Sequence, residues 1–180
     1  MANEDDVPPQ EILALFDLYN TTGGEEWQWN VDPVTLPGIP WNFTIDANPC
    51  RDIWQGINCT NTEDGLHISE IRLSNVGMVG VLPESLASLT ELTQLLFMNN
   101  FLWGTIPEQL GNLSKLEVLN FDGNFLEGTL PSSFSKLHRL TVLNLSANRF
   151  SGPIPSLNNA SDLVELDIAT NFFNGSIFDS

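Results

Sequence analysis

Positive charge is scarce in this chain. Six Lys and Arg stand against 23 Asp and Glu, for a net charge of −17 over 180 residues. That balance excludes a nucleic-acid backbone or an anionic membrane surface as an expected partner. Long apolar runs are also missing: no stretch of 18 apolar residues occurs, so no segment is expected to span a bilayer. The opening Met1-Ala2-Asn3-Glu4-Asp5-Asp6 has neither the basic nor the apolar region of a secretory leader. Cysteine and histidine number two each. A metal site would need more ligands near Cys50 and Cys59, and a redox pair normally has the spacing Cys-x-x-Cys. His67, expected in a turn, and His138, expected on the back, do not converge with a cysteine or serine nucleophile. The acidic doublets Asp5-Asp6 and Glu25-Glu26 lack a calcium-loop pattern. No catalytic residue, metal or cofactor is assigned, and the chain is read as a non-enzyme.

What the chain has in abundance is self-similarity. The stretch Leu116–Pro131 matches again when it is slid by 24 residues in either direction. Leu92, Leu95, Phe97, Asn100, Leu102, Gly104, Ile106 and Pro107 lie one period earlier; Leu140, Leu143, Leu145, Asn148, Phe150, Gly152, Ile154 and Pro155 lie one period later. Weaker outer copies run from Ile68 to Pro83 and from Leu163 to Ile177, the last after a step of 23, giving five repeats. A fixed period in this range is the mark of a solenoid. The alternation Leu119-x-Phe121 reads as a short strand with one face buried, and stacking the units places these strands side by side in a parallel sheet. Asn100, Asn124, Asn148 and Asn171 follow each strand, where an amide can bond turn backbone that a buried loop would otherwise leave unpaired. The glycines suit a turn with positive φ or a close backbone approach. The following prolines suit the start of a short helical or 3₁₀ segment.

The pattern LxxLxLxxNxLxGxIPxxLxxL resembles the plant-type leucine-rich repeat, over residues 68–180. The resemblance implies an α/β solenoid: a right-handed superhelix with a parallel concave sheet and a helical N-terminal cap. It also implies recognition of proteins, peptides, hormones or glycans by the concave face or the side beside it. Residues 1–66 are expected to form the capping region and 67–180 the five repeats, the last incomplete. Pro8-Pro9 opens a helix with an apolar stripe of Ile12, Leu15, Phe16 and Tyr19, ended by Gly23-Gly24. Trp27, Trp29, Trp41 and Phe43 follow in a loop-rich wrap and are expected to fill the cap interior. Pro49-Cys50-Arg51-Asp52-Ile53-Trp54-Gln55-Gly56-Ile57-Asn58-Cys59 resembles the family's cap signature, with eight residues between the cysteines rather than the usual six. The resemblance implies a Cys50–Cys59 disulfide. No second cysteine pair follows the last repeat, so continuation of the native protein, or cover by another chain, is expected at that end.

Asn20, Asn42, Asn58, Asn112, Asn144, Asn159 and Asn174 head Asn-x-Ser/Thr sequons. With 19 Asn and 26 Ser or Thr in the chain, chance gives about three. The expectation is a secreted glycoprotein, or the extracellular face of a surface protein, whose leader has been removed. Two sets of side chains are candidate contacts. Pointing out of the concave sheet are Arg72, Leu96, Met98, Val118, Asn120, Asp122, Val142, Asn144 and Asp167, of which Leu96, Met98, Val118 and Val142 should form an exposed apolar patch. A lateral row holds Phe101, Phe125 and Phe172 with Trp103 nearby, able to stack on a sugar or a partner helix. The leading function is a ligand- or protein-binding ectodomain of a surface receptor or secreted binder. The alternatives are an inhibitor of a secreted cell-wall hydrolase, and a wall or matrix protein that self-associates through its uncapped C-terminal end.

Overall fold

The leucines of LxxLxL cannot be buried by one unit alone, and the computed structural model shows how successive units bury them jointly. It describes residues 6–29 and 38–174. Gly175 and Ile177, assigned to the last repeat, lie outside the described residues. Helix α1 (Pro9–Thr21) and a single 3₁₀ turn (Gly24–Glu26) come first. Strands β1 (Ile57–Thr62) and β2 (Gly65–Arg72) then form an antiparallel hairpin. From there the chain repeats a short strand of the main sheet, a short lateral strand, and a turn across the back.

The main sheet is six-stranded. Its order is β1, β2, β4 (Gln94–Leu96), β6 (Val118–Asn120), β8 (Val142–Asn144) and β10 (Glu165–Asp167). From β2 onward the strands are parallel, and Ile71, Leu95, Leu119, Leu143 and Leu166 stand in register. The first four are fully buried, so the apolar period of 24 is one continuous spine. A second sheet lies beside it, built from β3 (Val79–Gly80), β5 (Phe101–Gly104), β7 (Phe125–Gly128), β9 (Arg149–Gly152) and β11 (Phe172–Phe173). On the back, 3₁₀ turns Glu84–Ser88, Glu108–Asn112 and Ser132–Lys136 begin directly after Pro83, Pro107 and Pro131. The unit that is one residue short has a plain turn after Pro155 instead. The expected boundary at 66/67 falls inside β2, because the hairpin joins the cap to the repeat sheet as one element.

In the cap, the buried face of α1 is Glu11, Ala14, Leu15 and Leu18. The expected stripe is thus rotated: Leu15 belongs to it, Ile12 and Tyr19 are half-buried, and Phe16 is exposed, meeting Phe43 edge-on at 5.1 Å. Trp27, Trp41 and Trp54 are buried in one aromatic cluster that fills the cap interior. Gly80 marks the contact between α1 and the lateral sheet: with φ of 147°, a Cβ there would sit 1.8 Å from the Thr21 carbonyl oxygen. Cys50 and Cys59 are disulfide-bonded, with 5.8 Å between their Cα atoms, tying the preceding turn to β1.

Candidate functional site

Turn backbone between the two sheets is held by an asparagine ladder. Asn124 Nδ2 donates to the carbonyls of Phe97 and Phe121 at 2.9 and 3.0 Å, and its Oδ1 accepts from the Leu102 N–H at 3.1 Å. Asn100, Asn148 and Asn171 repeat the arrangement. Each amide thus bonds its own turn and the preceding one, fixing where the flanking side chains point.

Three rows run across the main sheet. The first is Glu70, Gln94, Val118, Val142 and Glu165; the second is Arg72, Leu96, Asn120, Asn144 and Asp167. The third, just past the strands, holds Met98, Asp122 and Ser146. Leu96, Met98, Val118 and Val142 form a diagonal band across these rows, half-buried rather than fully exposed. Polar networks frame the band. Towards the cap, the Arg72 guanidinium meets Glu70 at 2.8 Å and donates to Gln94 Oε1 at 3.1 Å, while Asn58 Nδ2 donates to Glu70 at 2.7 Å. Towards the far end, Ser146 Oγ lies 2.7 Å from both the Asp122 and Asn144 oxygens, and Asn120 Oδ1 accepts from the Asp122 N–H at 3.0 Å. Asp167, half-buried, accepts from the Ala169 N–H at 3.0 Å.

The lateral sheet carries a row of exposed large apolar side chains; isolated exposed ones stand elsewhere, such as Ile45 and Val164. Val79, Phe101, Trp103, Phe125 and Phe172 are exposed, Phe172 by 69%. Phe101 and Phe125 stack at 6.2 Å with an interplanar angle of 25°, and the Arg149 guanidinium sits over the Phe125 ring at 4.9 Å. These contacts turn the ring faces along the row. A pyranose needs an open face, so the stacked pair is poorly arranged for the sugar platform expected of it.

Of the sequon asparagines, Asn20, Asn42, Asn58, Asn112, Asn159 and Asn174 are exposed, and Asn144 is half-buried in the concave face. One titratable pair escaped the sequence reading. His67 lies in β2, not in a turn, and is buried with Glu11 of α1. Its Nδ1 is 2.6 Å from Glu11 Oε1, and Glu11 Oε2 accepts from the Ile68 N–H at 2.9 Å. Burial pushes the Glu11 carboxyl above its ordinary range, against the opposing pull of the Ile68 and His67 hydrogen bonds. Burial works against charge on His67, but the hydrogen bond and charge of Glu11 outweigh it and raise the imidazole. The signal was present: Glu11 lies four residues before Leu15 and seven before Leu18, on the buried side of the helix. His138 is exposed on the back.

This fold and these faces define a class: an end-capped repeat solenoid presenting an open parallel sheet. Comparisons narrow it. The family profile described as "Leucine rich repeat" matches residues 90–150. A chain of the BIR3–SERK2 complex of Arabidopsis thaliana is 30% identical, covering 93% of this chain and 85% of that one with a TM-score of 0.75. The plant peptide hormone receptor RGFR1, solved in complex with RGF2, is 37% identical over 59% of this chain and 17% of its own, with a TM-score of 0.58. A probable LRR receptor-like serine/threonine-protein kinase of Arabidopsis thaliana is 29% identical over 87 residues, which is 47% of this chain and 8% of the kinase. The chain belongs to the plant-type leucine-rich-repeat family, with a cysteine-paired N-terminal cap.

Proposed function

We propose that this chain is an extracellular, non-catalytic recognition module that holds a protein or peptide ligand against its concave sheet. The observation that carries this reading is the diagonal band of Leu96, Met98, Val118 and Val142, set on in-register strands and framed by hydrogen-bonded polar groups. A held apolar strip with a polar rim is what an extended ligand needs: the strip supplies desolvation and the rim supplies register. Solved relatives include a receptor in complex with RGF2 and a PEPR1–AtPEP1 structure, which supports a peptide as one ligand class. The disulfide and the seven sequons support an oxidising, extracellular setting. Among the described residues no helix is long and apolar enough to cross a membrane. Catalysis is not part of the reading: His67 is committed to Glu11, Glu70 to Arg72 and Asn58, and Asp122 to Ser146.

The test is selection of displayed extended peptides against the intact chain, followed by calorimetry on the enriched sequences. Leu96→Asp combined with Val142→Asp should weaken their binding at least about tenfold, since two buried apolar contacts are lost. Circular dichroism should show an unchanged fold. Recovery of no binder, or binders indifferent to these substitutions, would remove the concave face from the account.

A further inference from the structure

From β4 onward, the three rows of the concave face share one direction. In the first, Val118 and Val142 are followed by Glu165. In the second, Leu96 is followed, past Asn120 and Asn144, by Asp167. In the third, Met98 is followed by Asp122. Each row thus passes from apolar side chains nearer the cap to a carboxylate further from it. No positive charge balances these acids. Strands β4, β6, β8 and β10 carry no Lys or Arg. Arg72, at the cap end, is held by Glu70 at 2.8 Å, and Arg149 of the lateral sheet lies over the Phe125 ring. Among the described residues, Asp122, Glu165 and Asp167 form no ion pair. Carboxylates alone would name no ligand. Here they close the apolar rows, so a molecule that covers the rows must also meet the charge.

We propose that the ligand of the concave face is a cationic extended peptide. Its apolar side chains cover Leu96, Met98, Val118 and Val142, and a Lys or Arg follows beside Asp122, Glu165 and Asp167. This inference rests on the concave-face reading and adds the charge of the ligand and its spacing. A neutral or acidic peptide in the same place would desolvate the carboxylates without pairing them, which selects against it. The spacing follows from the sheet. In the second row Leu96 and Asp167 are three strand steps apart, about 14 Å at roughly 4.8 Å each. An extended chain advances about 3.3 Å per residue, so the apolar residue and the base of the ligand stand about four positions apart. The net charge of −17 acts at longer range, drawing a cationic peptide in faster at low salt.

The experiment is selection of displayed linear peptides of about 12 residues, long enough to cross the sheet, against the intact chain. Enriched sequences should carry Lys or Arg about three to five positions from a large apolar residue. One enriched peptide is then synthesised with its base kept or replaced by Gln, and both forms are titrated by fluorescence anisotropy. Loss of the base should weaken binding about tenfold at low salt, and less at about 500 mM NaCl. Glu165→Gln with Asp167→Asn should erase the difference between the two forms. Asn at 167 keeps an acceptor for the Ala169 N–H, so the turn is retained. Should that pair fail to fold, Glu165→Gln alone, at an exposed position, should reduce the difference. Glu25→Gln with Glu26→Gln removes two exposed charges from the cap and should leave the difference intact. Binders without a preferred base, a preference that outlives the changes at 165 and 167, or one that falls equally with the cap pair overturns the proposal and leaves the concave-face reading standing. Recovery of no binder removes that reading, and this inference with it.

Discussion

Asn124 and His67 show how differently two buried polar residues announce themselves. The asparagine recurs every 24 residues, so its role follows from one amide meeting one turn. The histidine occurs once, and its partner Glu11 is 56 residues away on another element. Its consequence is a pH dependence. The folded imidazole is raised above its ordinary value, so its stabilising contribution is complete below that value and is lost as pH climbs through the folded one. Glu11 is also raised, so it too favours the fold on the acidic side of its own range. Asp64, 3.5 Å from Nε2, and the charge of Glu91 further favour the protonated ring. Thermal melts should show stability falling as pH rises above about 6.5, the ordinary imidazole value. His67→Gln should flatten the fall, and a parallel decline in the variant would assign it to other groups.

The asparagine ladder belongs to the scale of elements, because each amide joins two neighbouring turns. Asn124→Ala would leave the Leu102 N–H and the Phe97 and Phe121 carbonyls short of a partner in a buried site. The expected cost is about 3 kcal/mol, measurable by urea denaturation. Hydrogen exchange should quicken at Leu102 in β5 as well as in the turn around Asn124 itself; quickening confined to that turn would contradict the inter-repeat role. This ladder, the spine and the proline-led turns were legible in the sequence, because repetition samples one structural solution several times. The cap was less so, being a single copy. The face of α1 is rotated from the apolar stripe because Glu11, hydrogen-bonded to Ile68 and His67, lies on the buried side with Ala14, Leu15 and Leu18 while Phe16 stays exposed.

At the scale of the whole molecule, charge is the dominant feature. Twenty-three acids and six bases are spread over a solenoid that holds many of them within a few Debye lengths of one another. Among the pairs formed, Lys115 meets Glu91 at 2.6 Å and Arg72 meets Glu70, so much of the scarce positive charge is already spent within the chain. Raising NaCl from about 20 to about 300 mM should therefore raise the melting temperature by a few degrees, by screening self-repulsion. Calorimetry at a fixed low concentration checks this, and a melting point that falls with salt would show that ion pairs outweigh the surplus.

The sequence by itself determined the solenoid, its period, the residues of the spine and the positions of the turn amides. Those are local matters, repeated at fixed spacing, and each copy confirms the next. Tertiary structure alone decided which apolar side chains stay bare. The concave band is contiguous because residues 24 apart become neighbours on adjacent strands, while the lateral rings have neighbours only along their row. It also decided that Glu11 and His67 share a site, since no spacing rule links a single helix to a single strand across a cap that occurs once.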